Sequence, residues 1–581
     1  VSAVQIFSGE DDTMPEGPDV RMTLNYIIDS SKTTYGDLGA IGMAMEQPLT
    51  YEELHERICA LATSLMAKGL SKGDRVAILA ENSHHWGTAY LAVVRFGGVG
   101  VPILPDLPEA DVHHILGEMK VKAIFTTQRQ IEKIYDLRTE RPELVITLDD
   151  FQSAEGLPAT ESFSDFLDTA LADYRERFHT GDLIDFPEVG EDDLASILYT
   201  SGTSGFSKAV MLSHKNLTSN AYGASGLMEI PQGAVFLSIL PMSHTYEFTT
   251  GFILPLLLGA RIAYAGKTPT PAILQNLCKH EKPYLIFAVP LVLEKIYKKR
   301  VLPNIEKSRL LSLLCKFRGG RKFVHRKAGR KLTEFFGGNL AMMGIGGASL
   351  NPDVEQFLVE AGFPYLVGYG QTETAPLIAG GPFGDTTIAI GSTGKPLPGV
   401  EVKIEDGDPD SGIGEIHARG PNVMVGYYND EEATAATISP EGWLATGDLG
   451  LFDEQGNLHI MGRCKNIIVM ASGENIYPEA IEHKINAYPW VVESLVVEDS
   501  GRLIAWVYPD YEYIDELTAG QMRTQRRDYL DNLLEELRRE VNAGLATTSR
   551  LAEVVERREP FIKTATHKIK RYLYDRYAKI A

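Results

Sequence analysis

Three short stretches combine residue types that could handle a nucleotide. The first is Thr200-Ser201-Gly202-Thr203-Ser204-Gly205-Phe206-Ser207-Lys208, set between the apolar runs 194–199 and 209–212. Glycines let backbone N–H groups turn toward an anion with no Cβ in the way. Hydroxyls add donors and Lys208 adds a charge. This is the composition of a phosphate-gripping loop, although Gly/Ser/Thr loops are also plain turns. It is not a Walker loop, because Gly202 and Gly205 stand too close together and Ala209 follows the lysine. The second stretch is Gly368-Tyr369-Gly370-Gln371-Thr372-Glu373-Thr374. There an aromatic ring can stack on a base, a hydroxyl can bond a phosphate and a carboxylate can hold Mg²⁺. A strand end with a helix cap has the same composition. The third is Trp443-Leu444-Ala445-Thr446-Gly447-Asp448. A buried Asp after a turn can accept hydrogen bonds from both hydroxyls of a ribose, and a simple turn Asp reads the same way.

The elements that must position these stretches alternate between strand and helix. Leu54, Ile58, Leu61 and Leu65 share one face of a helix that starts after Leu49-Thr50-Tyr51 and ends at Gly69. Runs 75–80, 99–104 and 123–126 read as strands, with helices around 86–96 and 110–118. Residues 147–191 are acidic and are expected to form an irregular connector. Strands resume at 235–240, 283–288, 340–345 and 364–369, with an apolar helix after His244 that ends near Gly259. Such alternation predicts an α/β fold with a mostly parallel sheet. From about residue 396, short strands with Gly and Asp turns predict a β-rich subdomain. Beyond 463–466 a smaller α+β unit is expected, with strands 467–470, 492–497 and 503–508. Its amphipathic helix carries Leu530, Leu533, Leu534, Leu537 and Val541 on one side. Residues 1–19 are polar and acidic and read as a loose arm.

A chain of 581 residues exceeds one domain. Its net charge of −22 disfavours wholesale nucleic-acid binding. Cys59, Cys278, Cys315 and Cys464 lack metal-ligand spacing and read as reduced thiols of a cytoplasmic chain. No secretory signal pattern opens the sequence. The longest apolar stretch, 248–260, is too short to span a bilayer, so a lipid substrate would be met at a surface or from solution. Residues 295–331 stand apart, with fourteen Lys/Arg and one acid, Glu306. They read as a solvated helical insertion, or as a patch for anionic lipid headgroups or for the phosphates of a cofactor or carrier.

Taken in order, these stretches resemble the adenylate-forming superfamily of acyl-CoA synthetases, peptide-synthetase adenylation domains and luciferases. The resemblance runs from Leu49-Thr50-Tyr51 to Lys568-Ile569-Lys570-Arg571. Between them lie 199–205 with Lys208, Gly346-Gly347-Ala348, 369–373, Thr446-Gly447-Asp448, and Gly462-Arg463 with 473–479. The segment Leu240-Pro-Met-Ser-His-Thr-Tyr-Glu247 resembles the long-chain fatty acyl-CoA synthetase branch. The resemblance implies a large N-terminal domain, 1–463, of two α/β subdomains plus a β-rich one. It also implies a small mobile α+β C-terminal domain, 464–581.

The implied reaction has two steps. A carboxylate attacks the α-phosphate of ATP, and the thiol of coenzyme A then displaces AMP. The resemblance assigns the grip on the β- and γ-phosphates to Thr200, Ser201, Gly202, Thr203, Ser204, Gly205 and Lys208. It assigns Mg²⁺ to Glu373 with Thr200. Gly347, Ala348 and Tyr369 would sandwich adenine beside Gly370 and Gln371, Thr372 would meet the α-phosphate, and Asp448 and Arg463 would bind the ribose. Lys568 would be the catalytic lysine, Lys465 the hinge, and Gly473 would line the thiol tunnel. His244 would gate the carboxylate, with Phe248, Thr249, Phe252, Val289 and Gly368 around the acyl pocket. The chain departs from the family pattern at Ser207 (usually Pro), Ala209 (Gly), His567 (Gly) and Lys465 (Asp). None of these removes a charged or metal-binding group, so an active fatty acid–CoA ligase is expected, touching anionic membrane peripherally through 295–331. An acyl-acyl-carrier-protein synthetase, docking its carrier on that patch, is the alternative. A non-catalytic fatty-acid or adenylate binder is disfavoured by Glu373, Asp448 and Lys568, and a phosphate-loop ATPase or kinase by the glycine spacing.

Overall fold

The computed structural model describes residues 20–135, 137, 141–152, 160–182, 184–200, 208–470, 475–518, 523–564 and 568–574. The expected arm at 1–19 lies outside them. Thr50 opens the helix Tyr51–Ala67 with a capping box. Its hydroxyl accepts from the Glu53 N–H at 3.1 Å, and the Glu53 carboxylate accepts from the Thr50 N–H at 2.8 Å. Leu54, Ile58, Leu61 and Leu65 are buried on one face, as their spacing predicts.

Two eight-stranded sheets dominate the described residues. The first runs Leu377–Gly380, Tyr365–Gly370, Met342–Ile345, Leu285–Ala288, Val235–Ser238, Arg261–Tyr264, Gly39–Met43, Leu49–Thr50, parallel except at its two edge pairs. The second runs Gly426–Tyr427, Ala209–Ser213, Leu194–Tyr199, Val99–Ile103, Arg75–Leu79, Ala123–Thr126, Leu144–Thr147, Glu161–Ser162. Its central strands are buried on both faces, which is why they read as unbroken apolar runs. Helix His84–Arg95 and the π-helix Glu247–Ile253 seal the sheets together. The Tyr90 and Phe248 rings meet edge-on at 4.7 Å, and Trp86 and Phe252 at 6.2 Å.

The expected irregular connector 147–191 instead carries a long helix in its middle. Helix Phe163–Thr180 is capped by Ser162 and buries Phe163, Phe166, Leu167 and Ala170. That i, i+3, i+4, i+7 spacing carries the amphipathic signal inside the acidic run. Arg175 holds the helix to Glu56 of helix Tyr51–Ala67 through two hydrogen bonds of 2.7 Å.

The β-rich subdomain is a four-stranded antiparallel sheet of Glu401–Glu405, Gly414–Arg419, Leu444–Phe452 and Leu458–Arg463. A 3-10 turn, Cys464–Asn466, leads into the C-terminal unit. There a three-stranded sheet, Val491–Asp499, Arg502–Pro509 and Glu553–Glu556, packs with helices Pro478–Asn486 and Arg523–Ala543 around its own core.

Candidate active site

Strands Leu285–Ala288, Met342–Ile345 and Tyr365–Gly370 lie parallel and in register, so their carboxyl ends meet at one edge. That edge is where open α/β sheets bind ligands. Here the ends run on into Val289, Gly346-Gly347-Ala348 and Gln371-Thr372-Glu373. Gly347, Ala348, Gln371, Thr372 and Glu373 among them face a cleft of about 1910 Å³ whose other walls are the β-rich subdomain and the C-terminal unit. Gly347 has φ +81°, a left-handed conformation, and a Cβ there would lie 3.7 Å from Val289 Cγ1. At Gly370 a Cβ would come within 1.9 Å of the Pro376 carbonyl oxygen, so no larger residue fits the turn. The same turn is braced from below. Asn220 donates to the carbonyls of Thr374 and Leu377 at 3.2 and 2.8 Å, and Asn422 donates to both at 2.9 Å.

Asp448 and Arg463 are cross-strand partners, with the guanidinium Nε 3.1 Å from the carboxylate. The Tyr369 hydroxyl donates to the other carboxylate oxygen at 2.8 Å, and the Thr446 hydroxyl accepts from the Asp448 N–H at 3.1 Å. Burial raises the Asp448 carboxyl above its usual range, with Arg463, Tyr369 and Lys568 opposing. The carboxylate, held on one oxygen by each partner, is fixed in orientation.

Lys568 reaches this corner paired with Thr564. The Thr564 N–H donates to its carbonyl at 2.8 Å, and the Lys568 N–H donates to the Thr564 hydroxyl at 3.2 Å. Arg571 ties this segment to helix Pro478–Asn486 through Glu482 and Glu479. Lys568 is open to the cleft, yet protein atoms crowd its ammonium. That crowding and the Arg463 charge lower its pKa, while Asp448 and Glu373 favour the charged form. His244 lines the same cleft. Desolvation, with the nearby Lys568 charge, pushes its pKa down to about 4. Its Nδ1 accepts from the Tyr246 N–H at 3.3 Å, which leaves the single ring proton on Nε2.

Where Thr200 and Lys208 line the cleft, the Thr200 N–H donates to the Lys208 carbonyl at 2.9 Å, and the Thr200 hydroxyl lies 3.4 Å from the same oxygen. The Lys208 ammonium sits over the Tyr427 ring, 4.2 Å from its centre, and the Tyr427 hydroxyl donates to Glu373 Oε1 at 3.0 Å. Tyr427 thus joins Lys208 to Glu373. No local motif marks it, because its place depends on the pairing of Gly426–Tyr427 with Met211 and Val210. Among the described residues the second Glu373 oxygen has no hydrogen-bond partner. Mg²⁺ takes one or two carboxylates together with phosphate oxygens and water, so a single-carboxylate site fits it. Among the described residues no cluster of three His, Cys, Asp or Glu offers an all-protein metal cage.

Thr372, Gly368, Gly370, Gln371 and Ala348 line the cleft, as does the exposed Lys465 on the turn after Arg463. Val289 sits behind Gly347. Ser201 to Gly205 and Gly473 lie outside the described residues. Phe248, Thr249 and Phe252 do not line the cleft. The π-helix places them fully inside the core, the two rings against Trp86 and Tyr90. Aromatic rings on a helix between two sheets gain more from packing with the opposite layer than from facing a wet cleft.

The chain matches the family of AMP-binding enzymes over residues 30–428. It is 30% identical over 497 residues to the peroxisomal long chain acyl-CoA synthetase 6 of Arabidopsis thaliana, covering 81% of this chain and 70% of that one. Over 459 residues it is 29% identical to the medium-chain fatty-acid–CoA ligase of Escherichia coli K12, covering 77% and 73%. Among solved structures, ATP-bound MatB from Rhodopseudomonas palustris superposes with a TM-score of 0.73 at 26% identity, covering 97% of this chain and 99% of that one.

Proposed function

Because the chain belongs to the family of AMP-binding enzymes, we propose that it is an AMP-forming acid–CoA ligase whose acid is a long- or medium-chain fatty acid. ATP, Mg²⁺ and coenzyme A are its co-substrates. One observation carries the reading. Lys568, from the far end of the chain, lies in one cleft with His244, Glu373 and the Asp448–Arg463 pair. Binding alone would not need that lysine.

In the first step a carboxylate oxygen of the acid bonds to the α-phosphorus of ATP. The bond to the bridging oxygen breaks and pyrophosphate leaves. Charge on the transferring group is met by Lys568, and the Nε2–H of His244 is placed to orient the carboxylate. Thr372 meets the α-phosphate, and Asp448 with Arg463 fixes the ribose. Lys208 grips the terminal phosphates, where Mg²⁺ held by Glu373 and Thr200 would neutralise charge. In the second step the thiol adds to the acyl carbonyl, AMP leaves with its phosphate oxygen, and the thioester remains. Rotation of the C-terminal unit about Lys465 would carry Lys568 out and bring the segment around Gly473 in.

The fatty character of the acid is supported by the named relatives and the 240–247 segment. It is tested by pyrophosphate release over carboxylic acids of graded length, with coenzyme A and acyl carrier protein offered as acceptors. Each buried CH₂ contributes about 0.8 kcal/mol, roughly fourfold in kcat/KM. A rise of that size per CH₂ up to a plateau, with coenzyme A as acceptor, is expected. A flat series, or turnover with carrier protein only, would refute it.

A further inference from the structure

The stretch 295–331 leaves the site sheet after Leu285–Ala288 and returns to it at Met342–Ile345. Two of its cations are engaged inside the molecule. Lys298 donates to the carbonyls of Asn486, Tyr488 and Val491, and Arg321 forks onto Glu360. Every other Lys and Arg from 295 to 331 is exposed. Among the described residues Lys299 alone of these meets a carboxylate, Asp510 at 3.8 Å. The rest form a cationic field on a chain of net charge −22. Standing in that field are Leu310, Leu313, Phe317 and Phe323, which are 68, 55, 66 and 65% exposed. Leu310 and Leu313 share one face of helix Arg309–Cys315, and Phe317 follows at the junction with helix Arg318–Phe335. Phe323 lies on the solvent side of that second helix, opposite the buried Val324, His325, Gly329 and Leu332.

Cations alone would suit any acidic partner. Large apolar side chains raised among them suit a partner that is anionic at its surface and apolar just beneath, which is the layering of an anionic bilayer. We propose that the two helices seat the protein on an anionic phospholipid surface. Leu310, Leu313, Phe317 and Phe323 enter the headgroup layer, and Arg309, Lys316, Arg318, Lys322 and Arg326 lie on the phosphates. No helix among the described residues is long and apolar enough to cross a membrane, so the contact is with one leaflet. A face joined to the site sheet would bring the cleft close to acids dissolved in that leaflet.

Flotation of the full chain with vesicles tests this, with no acid or ATP present, so that the outcome is independent of the proposed substrate. Vesicles of phosphatidylcholine containing phosphatidylglycerol should bind at least about tenfold more tightly than phosphatidylcholine alone, and salt should weaken the binding. Phe317→Ser with Phe323→Ser, and separately Lys316→Glu with Arg318→Glu and Lys322→Glu, should each lose about tenfold or more. Both variants should keep wild-type pyrophosphate release with a short water-soluble acid, which shows that they are folded. Equal binding to neutral vesicles, no binding to either, or variants that bind like wild type would overturn the proposal. So would capture of acyl carrier protein by this face without vesicle binding.

Discussion

Lys568 is crowded by protein atoms and shares its corner with a guanidinium, and together these set its titration. Crowding and Arg463 disfavour the ammonium, so its pKa lies below that of an exposed lysine and the charge is lost earlier as pH climbs. The first half-reaction, measured as single-turnover pyrophosphate release, should therefore show an alkaline fall belonging to this group. Lys568→Arg, which cannot deprotonate, should be slower but should lack that fall. A persistent fall would assign it elsewhere. Tyr427 allows a second test. Tyr427→Phe keeps the ring beneath Lys208 but removes the hydrogen bond to Glu373. The Mg²⁺ concentration for half-maximal rate should rise about tenfold, with the acid KM unchanged. An unchanged Mg²⁺ response would separate Tyr427 from the metal. Glu373, Asp448 and Lys568 are legible in the sequence only through the family resemblance, since each alone also reads as a cap, a turn or a tail residue. Tyr427 is not, since its role arises from pairing between strands far apart in the chain.

The turn that carries Thr372 and Glu373 is held by paired amides in addition to the hydrogen bonds of its own Gln371 and Thr374. Asn220 and Asn422 both donate to the Thr374 and Leu377 carbonyls, and Asn220 alone accepts from the Leu377 N–H, at 3.2 Å. Asn220→Ala should cost about 1–3 kcal/mol, chiefly for the orphaned N–H. Asn220→Ala with Asn422→Ala should cost more than the sum, because only then are the carbonyls stranded. Thermal midpoints of the three variants measure this, and strict additivity would contradict it. The mostly parallel α/β character follows from the alternation of apolar runs with helical spacing, whereas strand order and the division into two sheets rest on pairings between distant runs. Helix Phe163–Thr180 was hidden by its acidic surroundings, although Phe163, Phe166, Leu167 and Ala170 carry its period. The helix after His244 was rightly apolar, but its direction was not legible. Only the opposing Trp86 and Tyr90 show that Phe248 and Phe252 face the core rather than the cleft.

At the scale of the molecule, the placement of the C-terminal unit decides which residues meet. Lys298 crosses from the large domain to the carbonyls of Asn486, Tyr488 and Val491, and burial lowers its pKa. Lys298→Met should loosen this seating and slow adenylate formation several-fold while sparing the thiol step. Equal slowing of both steps would refute that role. No periodicity or spacing brings Lys568 into one cleft with Asp448 and His244, since that proximity depends on how two separately cored units dock. The most direct test divides the reaction at Lys568. Lys568→Ala should abolish pyrophosphate release from ATP and a fatty acid, yet still convert added acyl-adenylate and coenzyme A to thioester at close to the wild-type rate. Equal survival of both half-reactions, or equal loss, would contradict it.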